Sequence, residues 1–369
     1  MKPSAGTNVY PRRWLRDPQL LRGRPPRTPP FPVGHPRTRW YTHGRGALWD
    51  AARVLRLRPG DGVLAPSYNC GAEIDPFIQA GLQVSYYEGD GEWQASPDVI
   101  EASLRENTRA VMVVHFFGFP QRQTRAIKAL CEARGIALIE DCAHAFLSRF
   151  ADGSPAGSVG DLAVFSPRKI IASGTGAALV LNSLGFSFAG VPAMGLGAAL
   201  SKKLLATKPG RPIARLLSAE EPYVSHAPAA NAFIPAVHKG APLSWLAMRH
   251  ISRSDPEDVV RRRRENYELV AATLPPARSF APALPGLPAG VSPLAFPIWA
   301  EDRRAVIGVL QRSGLRPQAW WAGFHGDVPW GELPAAAALK NHLVAVPVHQ
   351  YVEPRLLREA TGALRELAD

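Results

Sequence analysis

The most informative stretch of the chain reads IALIEDCAH at residues 136–144 and closes with FSPRK at residues 165–169. The first part is a short apolar run that ends on Asp141, which is typical of a buried parallel strand. A second short apolar run leads into FSPRK, and that segment ends on Lys169. A carboxylate at the end of one strand and a lysine near the end of the next lie at the edge of a sheet where α/β folds bind ligands.

This pair of side chains suits the chemistry of pyridoxal 5'-phosphate (PLP). A lysine amine forms a Schiff base with the PLP aldehyde, and a carboxylate pairs with the pyridinium nitrogen. A nearby hydroxyl, here Ser166, can bind the cofactor phosphate. Each residue also has an ordinary structural interpretation, since Asp141 could cap the following helix and Lys169 could be a solvated surface charge. Their order within the strand pattern favours the cofactor site.

The ordered pattern resembles the DegT/DnrJ/EryC1/StrS family of sugar aminotransferases, which are fold-type I PLP enzymes. That family shows an acid, two residues and Gln or His, then Gly-Asp, Phe-Ser, the Schiff-base lysine and a Gly-rich strand. This chain has Asp141-Cys142-Ala143-His144, Gly160-Asp161, Phe165-Ser166, Lys169 and GTGAALV at residues 174–180. The resemblance is good over about residues 40–182 and looser over about residues 255–360.

A glycine-rich helix start is the candidate phosphate site. The sequence Gly44-Arg45-Gly46-Ala47-Leu48 opens a helical pattern, and backbone amides at a helix N terminus favour anions. The resembled family has Gly-Thr-Ala-Ala-Leu here and binds the PLP phosphate with it. The resemblance therefore implies a phosphate contact for Gly44 and Arg45, with an arginine in place of the threonine. A glycine turn that serves only packing is the alternative.

Position 70 departs from the family pattern. Residues 66–70 read PSYNC, where the family has Pro-Ser-x-Thr and then an aromatic residue that stacks on the pyridine ring. Cys70 falls at the aromatic position and would pack on the ring as a small apolar group. Tyr68 is a possible substitute for the missing ring. His115, at the end of another apolar run, is either a histidine at the edge of the core or a member of the pocket.

The resemblance implies a complete set of site residues. Lys169 would be catalytic, holding PLP and moving a proton between the cofactor and the substrate. Asp141 would keep the ring nitrogen protonated, His144 would contact the ring or its hydroxyl, and Ser166 would bind the phosphate. The full cofactor-binding set is Gly44, Arg45, Cys70, Asp141, His144, Ser166 and Lys169.

Composition excludes several other classes of protein. The chain has 369 residues, of which 46% are hydrophobic and 20% charged, as expected of a globular enzyme with a substantial core. The net charge is +12, but no nucleic-acid recognition motif accompanies it, so we expect no nucleic-acid partner. Three cysteines without metal-ligand spacing predict neither a metal site nor a disulfide framework, and favour the cytoplasm. We find neither a signal peptide nor a transmembrane stretch.

Alternating strand and helix patterns predict a parallel, doubly wound sheet. We expect the α/β fold of the fold-type I PLP transferases, with a large, mostly parallel sheet domain and a small C-terminal α+β domain. Residues 1–38, rich in Arg and Pro, would form an extended basic arm. Residues 39–260 would form the large PLP-binding domain and residues 261–369 the small one. The four arginines at residues 261–264 are interpreted as solvated or paired with neighbouring acids.

The resemblance implies a cytoplasmic, homodimeric aminotransferase. Its substrate would be a nucleotide-linked keto-sugar of amino-sugar or polysaccharide biosynthesis, and its amino donor glutamate or glutamine. One alternative is a different PLP reaction such as sugar dehydration, although the relatives that dehydrate carry histidine in place of the lysine. The other is a non-catalytic or regulatory relative. It is favoured by Cys70, by Arg45 and by our failure to find the family's Asn-Tyr-Arg-Met-like dimer segment.

Overall fold

The computed structural model describes residues 8–10, 26–188, 243–284 and 286–368. The strands found there are β1 (Thr38–Tyr41), β2 (Gly62–Pro66), β3 (Gln83–Tyr87), β4 (Thr108–Val114), β5 (Ala137–Cys142), β6 (Leu162–Phe165), β7 (Ala177–Leu181), β8 (Phe280–Pro282), β9 (Ala295–Ala300), β10 (Gln318–Ala319) and β11 (Leu343–Pro347). The α-helices are α1 (Gly44–Val54), α2 (Asp75–Gln79), α3 (Pro97–Ser103), α4 (Thr124–Ala133), α5 (Trp245–Arg253), α6 (Pro256–Thr273), α7 (Arg303–Arg312), α8 (Pro334–His342) and α9 (Pro354–Ala363).

The large sheet is mostly parallel, as the sequence predicted. Its strand order is β1-β7-β6-β5-β4-β2-β3, and only β7 pairs antiparallel with its neighbours β1 and β6. Central strands such as β4 and β5 are almost entirely buried. That explains why they read as apolar runs rather than as an alternating pattern.

The register of the central strands determines which residues lie at the carboxyl edge of the large sheet. Val114 of β4 is paired with Asp141 of β5, and Asp141 is paired with Val164 of β6. Ser166 follows the end of β6, and Pro167–Lys169 forms a single 3-10 turn. Asp141 and Lys169 therefore lie at the same carboxyl edge of the sheet.

A buried carboxylate ties the central strands to the glycine turn that precedes β6. Glu140 accepts hydrogen bonds from the backbone N–H groups of Gly157 at 3.0 Å, Val159 at 2.7 Å and Gly160 at 2.5 Å. The carboxylate also lies 2.8 Å from the His115 imidazole. Gly157 has φ +87°, and a Cβ there would lie 2.4 Å from the Phe165 ring, so the turn requires glycine.

The second sheet is antiparallel, with the order β10-β11-β9-β8. Helix α6 precedes it and packs against α9 and β9. The helix begins after Asp255, whose carboxylate accepts from the N–H groups of Glu257 and Asp258. The boundary predicted at residue 260 thus falls inside α6. We propose instead that the small domain begins at Pro256.

The arginine run on α6 is only partly a solvated surface. Arg261, Arg262 and Arg264 form ion pairs with acids of their own helix, namely Asp258, Glu265 and Glu268. Arg263 is fully buried and donates to the carbonyl oxygens of Pro293, Leu294 and Ile170. The interpretation of all four arginines as solvated or ion-paired is wrong at Arg263, because this side chain turns inward and reaches the residue after Lys169.

Part of the predicted N-terminal arm packs against the rest of the chain. Val9 is fully buried, and Asn8 forms a parallel bridge with Arg316. Strand β1 begins at Thr38, inside the range assigned to the arm. The rest of the arm before residue 26, and the segment 189–242, lie outside the described residues. Within the described ranges, no helix has both the length and the apolar character needed to cross a bilayer.

Arg263→Ala should lower the free energy of unfolding by roughly 3 kcal/mol, because it leaves a cavity and buried carbonyl groups without their donor. Arg262→Ala is the matched control on the same helix. Its side chain is 52% exposed and pairs only with Asp258, so it should cost under about 1 kcal/mol. Urea unfolding of the two variants measures the difference. Equal losses of unfolding free energy would contradict a stabilising role for the buried guanidinium of Arg263.

Candidate active site

A cavity of about 80 Å³ lies at the carboxyl edge of the large sheet. It is lined by every residue that the sequence singled out for the site: Gly44, Arg45, Cys70, Asp141, His144, Ser166 and Lys169. These residues come from the start of α1, the loop after β2, the end of β5 and the turn after β6. The fold thus brings together side chains that are more than a hundred residues apart in the chain.

The N terminus of α1 presents its first turn to this cavity. Gly44 and Arg45 are the first two residues of the helix, and the side chain of the N-cap residue, His43, makes no capping hydrogen bond. Arg45 is 8% exposed. Backbone amides at a helix start and the positive end of the helix dipole make this turn suited to an anion.

Burial shifts the pKa values of both Asp141 and His144. Burial raises the pKa of Asp141 to about 6, while the positive charge of Lys169 opposes this rise. Asp141 Oδ1 accepts a hydrogen bond of 2.8 Å from the Ala143 N–H. Burial, and then the charge of Lys169, lower the pKa of His144 well below its usual value. The imidazole is therefore neutral at physiological pH.

The hydrogen bonds of His144 fix which nitrogen carries its proton. Nδ1 accepts from the Phe117 N–H at 3.3 Å, so the proton of the neutral ring lies on Nε2. Nε2 is buried and has no hydrogen-bond partner among the described residues. A buried N–H donor without a partner is costly, and an acceptor on a ligand in this cavity would satisfy it.

The backbone beside Lys169 is held by two buried side chains from the C-terminal part of the chain. The carbonyl of Ile170 accepts from Arg263 at 3.0 Å and from Gln350 at 3.0 Å. The Lys169 N–H donates to the Ser166 carbonyl at 2.9 Å. These bonds fix the turn from which the lysine side chain enters the cavity.

The loop that carries Cys70 is held in the same way. Both the backbone N–H and the thiol of Cys70 donate to the Glu73 carboxylate, at 2.9 Å and 2.8 Å. Burial raises the pKa of the Cys70 thiol well above its usual value, so it stays protonated and can donate. The preceding carbonyl, of Asn69, accepts from the buried ammonium of Lys340 at 2.7 Å.

The geometry bears on two residues whose roles the sequence left open, Tyr68 and His115. Tyr68 packs with Trp93 and Phe116 and lines a neighbouring cavity of about 280 Å³. His115 has both ring nitrogens engaged, one with Glu140 at 2.8 Å and one with the Gln121 N–H at 2.9 Å. It is a histidine at the edge of the core.

Among the lining residues that the sequence analysis did not assign to the cavity, four are aromatic or charged: Tyr10, Glu73, Arg168 and Trp321. Arg168 adjoins Lys169, and Glu73 lies three residues beyond Cys70, so local spacing could have indicated both. Trp321 belongs to an aromatic-rich stretch that favours a binding role as much as a domain seam. Tyr10 has no such signal, because its neighbours in the chain are arginines and prolines.

The donor set of this cavity fits PLP. An amine, a carboxylate and a neutral imidazole with an unpaired N–H match the aldehyde, the ring nitrogen and the ring hydroxyl of the cofactor. The first turn of α1 matches its phosphate. The match depends on residue types and on the orphaned His144 Nε2.

The part of the chain that carries the candidate site matches a known family. Residues 41–185 match the model of the DegT/DnrJ/EryC1/StrS aminotransferase family. This segment includes α1, the loop after β2 and strands β2 to β7, and therefore every residue of the predicted site. The family resemblance inferred from the motifs is confirmed over this range.

Individual relatives match over the same part of the chain. GDP-perosamine synthase of Vibrio cholerae is 33% identical over 145 residues, which is 38% of this chain and 39% of the relative. A dTDP-4-dehydro-2,6-dideoxy-D-glucose 3-dehydratase of Saccharopolyspora spinosa is 34% identical over 132 residues, which is 35% of this chain and 28% of the relative. The chain therefore spans well under half the length of these curated relatives.

Solved structures extend the likeness in fold to most of the chain. The sugar aminotransferase CalS13 from Micromonospora echinospora superimposes with a TM-score of 0.66 at 20% identity, covering 90% of this chain and 88% of the other. At this identity the likeness concerns the fold. The fold-type I architecture expected from the sequence is confirmed.

The raised pKa of Asp141 predicts how stability depends on pH in protein without added ligand. A carboxyl whose pKa rises on folding stabilises the folded state below its unfolded pKa and loses that stabilisation as pH rises through the folded value, about 6. From about pH 5 to pH 8, the stability of wild type relative to Asp141→Asn should fall by roughly 1–2 kcal/mol. Urea unfolding at both pH values measures this, and a constant difference would contradict the assignment.

Proposed function

Proceeding from the match of residues 41–185 to the DegT/DnrJ/EryC1/StrS aminotransferase family, we propose that this protein is a PLP-dependent aminotransferase. Its substrate is a nucleotide-linked keto-sugar, and its amino donor is glutamate or glutamine. The observation that carries the proposal is one cavity lined by the Lys169 amine, the Asp141 carboxylate and the His144 imidazole. The name of GDP-perosamine synthase among the similar proteins supports the substrate class.

When bound, PLP supplies an aldehyde and an electron-withdrawing ring through which an amino group can be transferred. Lys169 would hold the cofactor through its primary amine, and its Nζ would hold and move the proton that amino transfer requires. Its turn is immobilised through the Ile170 carbonyl, which receives bonds from Arg263 and Gln350. The amine is thus held at one place at the rim of the sheet.

Asp141 holds the proton of the ring nitrogen. Its pKa of about 6 without a ligand leaves the carboxylate mostly ionised at neutral pH, and a cationic N–H beside it would favour ionisation further. His144 donates from Nε2 to an oxygen of the ring, because Nδ1 already accepts from Phe117. Together they fix the ring's orientation.

The phosphate is bound by the first turn of α1 and by Ser166. Gly44 leaves open space where a Cβ would stand, so an anion can approach the backbone closely. Arg45 adds a cation at the same turn and gives a charge-assisted contact that a threonine could not.

Sugar dehydration is the second candidate, because one of the similar proteins is a 3-dehydratase. Lys169 favours transamination, since its amine can move the proton that amino transfer requires. Incubating the protein with PLP, glutamate or glutamine and a panel of nucleotide keto-sugars separates the two reactions. An aminated sugar supports the proposal, and a dehydrated sugar without nitrogen supports the second candidate.

Replacing Lys169 should abolish amino transfer. Neither Lys169→Ala nor Lys169→Arg should develop the visible absorbance that PLP acquires on bonding to a lysine amine, because neither offers a primary amine. Lys169→Arg keeps the positive charge and so controls for the electrostatics of the cavity. Wild-type turnover in either variant would show that another residue carries the amine chemistry.

We further propose that the protein is a cytoplasmic homodimer. Fold-type I enzymes of the resembled kind complete their sites at a subunit boundary, and Trp245 and Leu184 are 59% and 89% exposed in the single chain. Such exposed apolar side chains are consistent with a covering partner. Light scattering should give twice the mass of the chain, and an active species of one chain's mass would contradict the proposal.

A further inference from the structure

The N-terminal segment 8–10, far in sequence from the other site residues, contributes to the cavity. Asn8 forms a parallel bridge with Arg316, beside the second sheet, and Val9 is fully buried. Tyr10 then lines the same cavity as Lys169 and Asp141. The two residues before Tyr10 therefore anchor it, and the placement of its ring is a property of the fold.

The Tyr10 ring lies between a buried indole and the lysine amine. Its centroid is 6.1 Å from that of Trp320, which is 1% exposed, and 5.9 Å from Lys169 Nζ. The latter distance is within the range of a cation–π contact. Trp320 in turn stacks on Trp321 at 5.9 Å with an interplanar angle of 18°. Tyr10 is thus the end of an aromatic series that faces the lysine.

To bind the pyridine ring of PLP, the cavity would need a flat apolar surface. Few of its lining residues offer one. Cys70 presents a thiol that already donates to Glu73 at 2.8 Å. Trp321 already packs against Tyr68 at 5.2 Å and His144 at 5.1 Å. Tyr10 is the aromatic side chain for which a contact to the Lys169 amine is measured, and that amine is where the cofactor ring would be tethered.

We propose that Tyr10 packs its ring against the pyridine ring of bound PLP and so completes the cofactor site from the N-terminal segment. This inference rests on the proposed function. It makes Tyr10 a cofactor-binding residue, with affinity arising from contact between two aromatic faces. It also explains how the site holds a flat ring although position 70 is a cysteine.

The test uses the full-length protein and pyridoxine 5'-phosphate, which has the ring and phosphate of PLP but no aldehyde and so cannot bond to Lys169. Its dissociation constant is measured by quenching of tryptophan fluorescence for wild type, Tyr10→Phe, Tyr10→Leu and Tyr10→Ala. Tyr10→Phe should bind within about twofold of wild type. Tyr10→Leu and Tyr10→Ala should bind about tenfold more weakly, equivalent to about 1.4 kcal/mol. The control Arg262→Ala, at a side chain 52% exposed and paired with Asp258, should leave the constant unchanged.

The leucine variant keeps apolar bulk without a flat ring, so wild-type affinity in Tyr10→Leu would overturn the proposed ring contact. An unchanged constant in Tyr10→Ala, or a change confined to the KM of the sugar substrate, would overturn it as well. If wild type binds neither pyridoxine 5'-phosphate nor PLP, the proposed function itself fails. If wild type binds both and the Tyr10 variants bind equally well, only the inference about Tyr10 fails.

Discussion

The parallel pairing of β4, β5 and β6 is the constraint on which the site depends. It places Val114, Asp141 and Val164 side by side, so the residues that follow each strand emerge at one edge. A shift of one residue in β5 would turn Asp141 to the other face of the sheet, because side chains alternate along a strand. Glu140 opposes such a shift, since its carboxylate accepts three backbone N–H groups of the glycine turn before β6.

Helices that accompany the second sheet hydrogen-bond to the backbone at the same edge of the large sheet. Arg263 of α6 holds the carbonyl beside Lys169, and Lys340 of α8 holds the carbonyl beside Cys70. Both cations are fully buried and bond to carbonyl groups rather than to acids. They satisfy backbone carbonyl groups of the irregular turns that line the cavity, which a buried loop could not do for itself. The chemistry at the rim therefore depends on how the small domain packs.

The residues that the sequence could reveal are those whose position follows from a strand end or a helix start. Asp141, Ser166 and Lys169 could be placed near one cavity because parallel strands end at a common edge, and Gly44 because a glycine-rich helix start favours anions. The sequence could not show that Arg263 is the buried member of a run of four arginines, because only the packing of α6 determines which of them points inward. Tyr10 carries no local signal, and only the tertiary structure brings it to the cavity.

The central claim is that Lys169 is the residue that bonds to PLP. It is tested most directly by treating the protein with PLP, reducing the product with sodium borohydride and mapping the labelled peptide by mass spectrometry. The account predicts a phosphopyridoxyl group on Lys169. A label on another lysine, such as Lys128 or Lys340, or no label at all, would contradict it.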